Sequence, residues 1–144
     1  MQARPGRSPQ LREVVQEQRR RKHIVMVDSS RAFTEIITEL LTDERYGVTA
    51  SDYAPEFFTQ IAVLKPDLII VDLVITETAG WELLETLELE SLTQHIPVIV
   101  TSTSQRLLDR ALANKERYGF DDYLVKPFDL DVLLAAIEEL IGVA

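Results

Sequence analysis

Short apolar runs alternate with amphipathic stretches from Lys22 to the end of the chain, and this alternation constrains the fold more than any other feature. Residues 23–27, 47–51, 67–72, 97–101 and 122–125 read as strands, the second of them weaker and suited to an edge. Between them, residues 31–43 place Phe33, Ile36, Ile37, Leu40 and Leu41 at helical spacing. Residues 55–64 read as a helix with Pro55 in its first turn, residues 80–90 as one built on Leu83, Leu84 and Leu87, and residues 105–118 as one built on Leu107, Leu108, Ala111 and Leu112. A last helix spans residues 130–141, with Asp129 as its cap. A run such as 68–71 is apolar at every position, which suits a strand buried on both faces. Such strands, alternating with amphipathic helices, predict an α/β fold, a doubly wound five-stranded parallel sheet. Right-handed crossovers leave few ways to connect it.

Open sheets of this kind bind ligands beyond the carboxyl ends of their strands. Those ends carry Asp28, Asp72, Thr101 with Ser102, and Lys126 followed by Pro127. If the first and third strands are neighbours, Asp28 and Asp72 face one shallow cleft. Two adjacent carboxylates repel each other unless a cation or a proton compensates them. A hard divalent ion such as Mg²⁺ is the natural candidate. Lys126 adds a point charge and Thr101 a hydroxyl, so the set can accept a phosphoryl group, a reaction that needs positioning and charge neutralisation. Taken singly, each residue is weak evidence: an Asp after a strand is more often a turn or a helix cap. Their joint placement after successive strands is the informative part.

Other chemistries find little support. The chain has no cysteine, which excludes disulfides and thiol catalysis and suits a reducing cytosol. His23 and His95 lie apart from other ligands, and Trp81 at a helix start suits packing better than ligand stacking. Ser102 and Ser104 lack a partner base. No glycine-rich phosphate loop is present, and Asp28-Ser-Ser-Arg31 would be a poor one for a flavodoxin-like enzyme. The longest apolar runs are too short to span a bilayer, and the basic N-terminus lacks the apolar stretch of a secretory signal. Charge is uneven: residues 1–22 hold seven Lys/Arg and two acids, a net of +5 that leaves −14 on the remainder of a chain whose total is −9. An acidic body repels nucleic-acid phosphates, so direct nucleic-acid binding is not expected of it. Residues 1–21 read as a basic extension, flexible or partly helical over 11–22, that could touch an acidic partner or nucleic acid but is most simply solvated, and residues 22–144 as one domain.

The motifs Ile24-Val-Met-Val-Asp28, Pro66-Asp-Leu-Ile-Ile-Val-Asp72, Gly80-Trp-Glu-Leu-Leu84, Ile96-Pro-Val-Ile-Val-Thr-Ser102 and Asp122-Tyr-Leu-Val-Lys-Pro-Phe-Asp129 occur in this order and spacing. In them the chain resembles the receiver domain of two-component response regulators. The resemblance implies the flavodoxin-like, CheY-like strand order 2-1-3-4-5 and a cytoplasmic signalling protein that assists its own phosphorylation without being a conventional enzyme. It implies Asp72 as phosphoacceptor, with a sensor histidine kinase or phosphotransfer protein as donor. It implies a Mg²⁺ pocket holding Asp28, Asp72 and the backbone carbonyl of Val74. Lys126, ahead of a cis Pro127, would contact the phosphoryl group, and Thr101 with Tyr123 would form the switch. The output would be a protein target or a homodimer engaged through about residues 105–141, on the expectation that no output domain follows the last helix.

The chain departs from that family at Ser29, where a second acid usually ligates the metal directly. A neutral serine weakens the Mg²⁺ site; losing even an outer partner typically costs roughly 10–100-fold in affinity. Two readings stay open: a receiver with a higher Mg²⁺ requirement, or a degenerate receiver-like interaction module that needs no phosphorylation. Ser29 also suits the cap of the 31–43 helix. Val74 and Thr103 occupy positions that in the family influence hydrolysis of the acyl phosphate. Neither carries a base, so slow self-hydrolysis is expected.

Overall fold

The computed structural model describes residues 21–52, 56–74 and 77–144. Its order is β1 (His23–Val27), α1 (Arg31–Asp43), β2 (Gly47–Ser51), α2 (Phe57–Leu64), β3 (Leu68–Asp72), α3 (Ala79–Leu89), β4 (Val98–Ser102), α4 (Gln105–Ala113), α5 (Lys115–Tyr118), β5 (Asp122–Val125) and α6 (Leu130–Ile141). The sheet order is β2-β1-β3-β4-β5, every pair parallel. This is the predicted topology. The helix expected over 11–22 and Pro55 in a first turn lie outside the described residues, apart from Arg21 and Lys22, which are not helical.

Strand periodicity divides the core in two. Val25, Val27, Ile69, Val71, Val98 and Val100 face Phe57, Ile61, Leu84, Leu87, Leu107, Leu108 and Ala111 on one side of the sheet. Ile24, Met26, Leu68, Ile70 and Ile99 face Ile37 and Leu41 of α1 and Leu133, Ala136 and Ile137 of α6 on the other. The central strands β3 and β4 are buried at every position, whereas the edge strands β2 and β5 are only partly covered. This is why the second strand, at one edge, reads as the weaker one. Covered on both sides, the three inner strands cannot shift register, and their carboxyl ends are held at one rim.

Several local expectations are corrected. The helix expected over 105–118 breaks at Asn114, whose φ of −119° and ψ of 31° are not helical and whose side chain donates to the Arg110 carbonyl. A short polar side chain that bonds to nearby backbone competes with the helix at this point. Gly119, at φ +59°, then closes α5 in the left-handed region. The cap of α1 is Ser30, not Ser29: its extended backbone lets Oγ accept from the Phe33 N–H at 3.4 Å. Asp129 occupies the N-cap position of α6 but makes no side-chain cap bond. Ile36, read as part of the apolar stripe of α1, is 59% exposed.

Candidate functional site

Asp28 follows β1 and Asp72 ends β3. Since β1 and β3 are hydrogen-bonded neighbours, the two carboxylates arrive at the same rim. Thr101 pairs with Asp72 across β3–β4, and Lys126 follows β5. The backbone stitches this rim together: Leu73 N–H donates to Thr101 O at 2.8 Å, Lys126 N–H to Ser102 O at 2.7 Å, and Asp28 N–H to Ser51 O at 3.0 Å. The Lys126–Pro127 peptide bond is cis, as the resemblance implied.

The four predicted side chains meet. Lys126 Nζ lies 2.5 Å from Asp28 Oδ2 and 3.0 Å from Asp72 Oδ1. Side-chain exposures of 10%, 4% and 9% for Lys126, Asp28 and Asp72 show that this ionic cluster is nearly dry. The fully buried Thr101 donates its hydroxyl to the same Asp72 Oδ1 at 3.0 Å. Asp28 Oδ1 accepts from the Ser30 N–H at 2.8 Å, so both oxygens of Asp28 are engaged. Asp72 Oδ2 has no hydrogen bond among the described residues. Burial raises the Asp72 carboxyl above the usual range, and the Asp28 charge adds to this; the Lys126 charge and the hydrogen bonds from Lys126 and Thr101 pull it back down.

The donor set suits Mg²⁺, which takes one or two carboxylates and keeps several waters. Two carboxylates against one ammonium leave a net negative charge at the rim. Ser29 is exposed and contributes only a neutral hydroxyl, and among the described residues no three His, Asp or Glu side chains gather as a metal-binding group. The Val74 carbonyl accepts from the Glu77 N–H at 3.2 Å, which leaves its second lone pair for a cation. Lys126 is thus the built-in cation of a notch that offers a divalent ion one acid fewer than expected.

Other residues fall outside this cluster. Tyr123, 38% exposed, lies opposite Val100 on β5 and, with Val125, Pro127, Phe128 and Val132, borders a surface groove of about 470 Å³. His23 belongs to the opposite rim, where its ring meets Thr49 Oγ1 at 2.7 Å and burial lowers its pKa. Trp81 packs against Tyr118, with ring centroids 4.8 Å apart and Arg110 over it at 5.4 Å. Two contacts are not evident from the sequence. Ser102 donates to the Leu73 carbonyl at 2.7 Å and accepts from the Ser104 N–H, joining the loops after β3 and β4. Phe33 sits with its ring centroid 3.9 Å from Lys126 Nζ. Helical spacing marks Phe33 only as core; nothing in the sequence pattern ties it to a residue 93 positions later.

Residues 24–138 match the family model of the response regulator receiver domain. The chain is 33% identical over 125 residues to the transcriptional regulatory protein KdpE of Staphylococcus aureus, an alignment covering 84% of this chain and 50% of that one. It is 27% identical to the DNA-binding dual master transcriptional regulator RpaA of Synechocystis, covering 82% and 48%. The chain therefore spans about half the length of these curated relatives. Among solved structures, a signal receiver domain of a response regulator from Bermanella marisrubri superposes with a TM-score of 0.73 at 25% identity, covering 84% of this chain and 98% of that one. The chemotaxis response regulator CheY4 of Vibrio cholerae, at 21% identity and a TM-score of 0.73 over 83% and 98%, shares the fold.

Proposed function

Because the chain belongs to the response regulator receiver domain family, we propose that it accepts a phosphoryl group on Asp72 from a histidine kinase or a phosphotransfer protein. The observation that carries this reading is the convergence of Lys126 and Thr101 on one oxygen of Asp72, the other oxygen having no hydrogen bond among the described residues. Asp72 Oδ2 attacks the phosphorus of a phosphohistidine; the new O–P bond forms as the P–N bond breaks. The electron pair stays with the imidazole nitrogen, which takes up a proton. Lys126 is already at hand to neutralise the transferred group, and Asp28 holds the ammonium in place. As Asp72 Oδ2 takes the phosphoryl group, the Oδ1 that accepts from Thr101 becomes a neutral carbonyl oxygen and a weaker acceptor, so Thr101 turns its hydroxyl to a charged phosphoryl oxygen. Positioning and charge neutralisation of this kind are most of what phosphoryl transfer requires.

Mg²⁺ would be held by Asp28, Asp72 and the Val74 carbonyl, and would supply further neutralisation of the phosphoryl oxygens. Ser29 in place of an acid supports a raised Mg²⁺ requirement. The readout would follow from the Thr101 movement to Tyr123 and the face made by α4, β5 and α6, where a protein partner or a second copy would bind. The two curated relatives are named as transcriptional regulators; whether this chain serves such an output depends on what it is joined to or binds. Among the described residues no helix is long and apolar enough to cross a membrane. Incubation with Mg²⁺ and acetyl phosphate, followed by intact mass measurement, tests the proposal. One phosphoryl adduct, absent in Asp72→Asn, is expected. No adduct at high Mg²⁺, beside a receiver that labels normally, would favour an interaction module that works without phosphate.

A further inference from the structure

The Lys126 ammonium is held from three directions. Asp28 and Asp72 take two of its three N–H donors, and the Phe33 ring covers it at 3.9 Å. Phe33 lies in the first turn of α1, three residues after the Ser30 cap whose own N–H donates to Asp28. The turn that fixes Asp28 therefore also fixes the ring. Phe128, two residues beyond Lys126, meets the Phe33 ring edge-on, with centroids 5.9 Å apart and planes at 89°. The ring is pinned between the start of α1 and the loop after β5, the segments that carry Asp28 and Lys126. An aromatic face replaces water around an ammonium at low cost, because its quadrupole attracts the charge. A leucine of similar bulk would fill the space without that attraction.

Resting on the phosphoacceptor reading above, the geometry points to Phe33 as a positioning residue that holds Lys126 in the carboxylate notch and keeps water off its outer side. When Asp72 is esterified, its bond to Lys126 weakens, and the ammonium needs a new acceptor. The ring blocks retreat toward solvent, so the freed N–H turns to the phosphoryl oxygen. Phe33 touches no reacting atom; it acts through Lys126.

The test compares Phe33→Leu, which keeps bulk, with Phe33→Tyr, which keeps the ring. The first readout is NMR of the Lys126 side chain in the unphosphorylated protein. Its methylene signals next to Nζ should lose their ring-current shift in Phe33→Leu, its ammonium protons should exchange faster with water, and Phe33→Tyr should restore both. The second is the rate of labelling by acetyl phosphate with Mg²⁺, which should fall roughly 2- to 30-fold in Phe33→Leu, the span of such a contact from exposed to desolvated. Phe33→Tyr should recover most of that rate. Unmoved Lys126 signals in Phe33→Leu overturn the inference, as does a wild-type labelling rate in that variant. If the wild-type protein takes up no phosphoryl group, the phosphoacceptor reading fails, and the Lys126 signals still decide whether Phe33 holds the lysine.

Discussion

Lys126→Met removes the cation that two nearly dry carboxylates share, while keeping an unbranched side chain of similar length. At its distances of 2.5 and 3.0 Å, each ion pair is worth roughly 5–7 kcal/mol of attraction at an effective dielectric near 20. Desolvation of the three charges offsets most of that in the native protein, so the pairs add little net stability. Removing one partner is different, because it leaves Asp28 and Asp72 desolvated and facing each other. The cost of that state is about 3–5 kcal/mol. Entry of water at this rim, or protonation of one carboxylate, favours the lower end. For a chain of 144 residues, about 3 kcal/mol lowers the thermal midpoint by roughly 10 °C. Urea unfolding at neutral pH in EDTA measures it directly. Because the variant lacks its internal cation, added Mg²⁺ should bind it more tightly and raise its midpoint more than that of the wild type. The Asp72→Asn/Lys126→Met double variant should be less destabilised than the two single effects imply, since the facing charges are gone. A Lys126→Met midpoint within about 1 kcal/mol of wild type, the range of an exposed pair, and an unchanged Mg²⁺ response would refute the view of Lys126 as the cation that compensates the two carboxylates.

Other expectations follow from the same geometry. Asp72 has a raised carboxyl pKa, so between the ordinary carboxylate range and that raised value the unfolded chain gives up its proton first. Its contribution to stability therefore falls as pH rises through this window. Asp72→Asn should accordingly be more stable than wild type at neutral pH, with the advantage fading in acid; urea midpoints across pH check this, and an advantage that grows in acid would contradict it. Ser29→Asp should tighten Mg²⁺ binding by roughly 10–100-fold in calorimetric titration; unchanged affinity would place the metal elsewhere. Phosphorylated protein should hold its label well beyond seconds, because neither Val74 nor Thr103 offers a base; decay within seconds by intact mass would contradict that. Gly119→Ala, at φ +59° and with its new Cβ against Glu88, should cost roughly 1–2 kcal/mol in urea unfolding.

The sheet was legible because its three inner strands are apolar at nearly every position, and a run such as 68–71 has few other uses in a chain of this size. The site was legible for a related reason: Asp28, Asp72, Thr101 and Lys126 each stand where a strand stops, and a parallel sheet brings such ends together. What remained hidden depends on backbone angles or on contacts between distant elements. Ser29 and Ser30 are equivalent as letters, and only the extended backbone of Ser30 selects the cap. Asn114 lies inside a stretch that otherwise keeps helical spacing, so its break shows only in its dihedral angles. Phe33 fits the α1 stripe and packs beside the core, yet its ring also serves Lys126. Periodicity reports which face a side chain takes, not which charged group waits there.

Everything proposed for this notch depends on Asp72 itself carrying the phosphoryl group. Borohydride reduction of protein treated with acetyl phosphate and Mg²⁺, followed by peptide mass mapping, reads this directly, because an aspartyl phosphate is reduced to homoserine at the residue that held it. Homoserine at position 72 alone is predicted. Reduction at Asp28 or any other acid, or at none in protein that retains its fold, would contradict it.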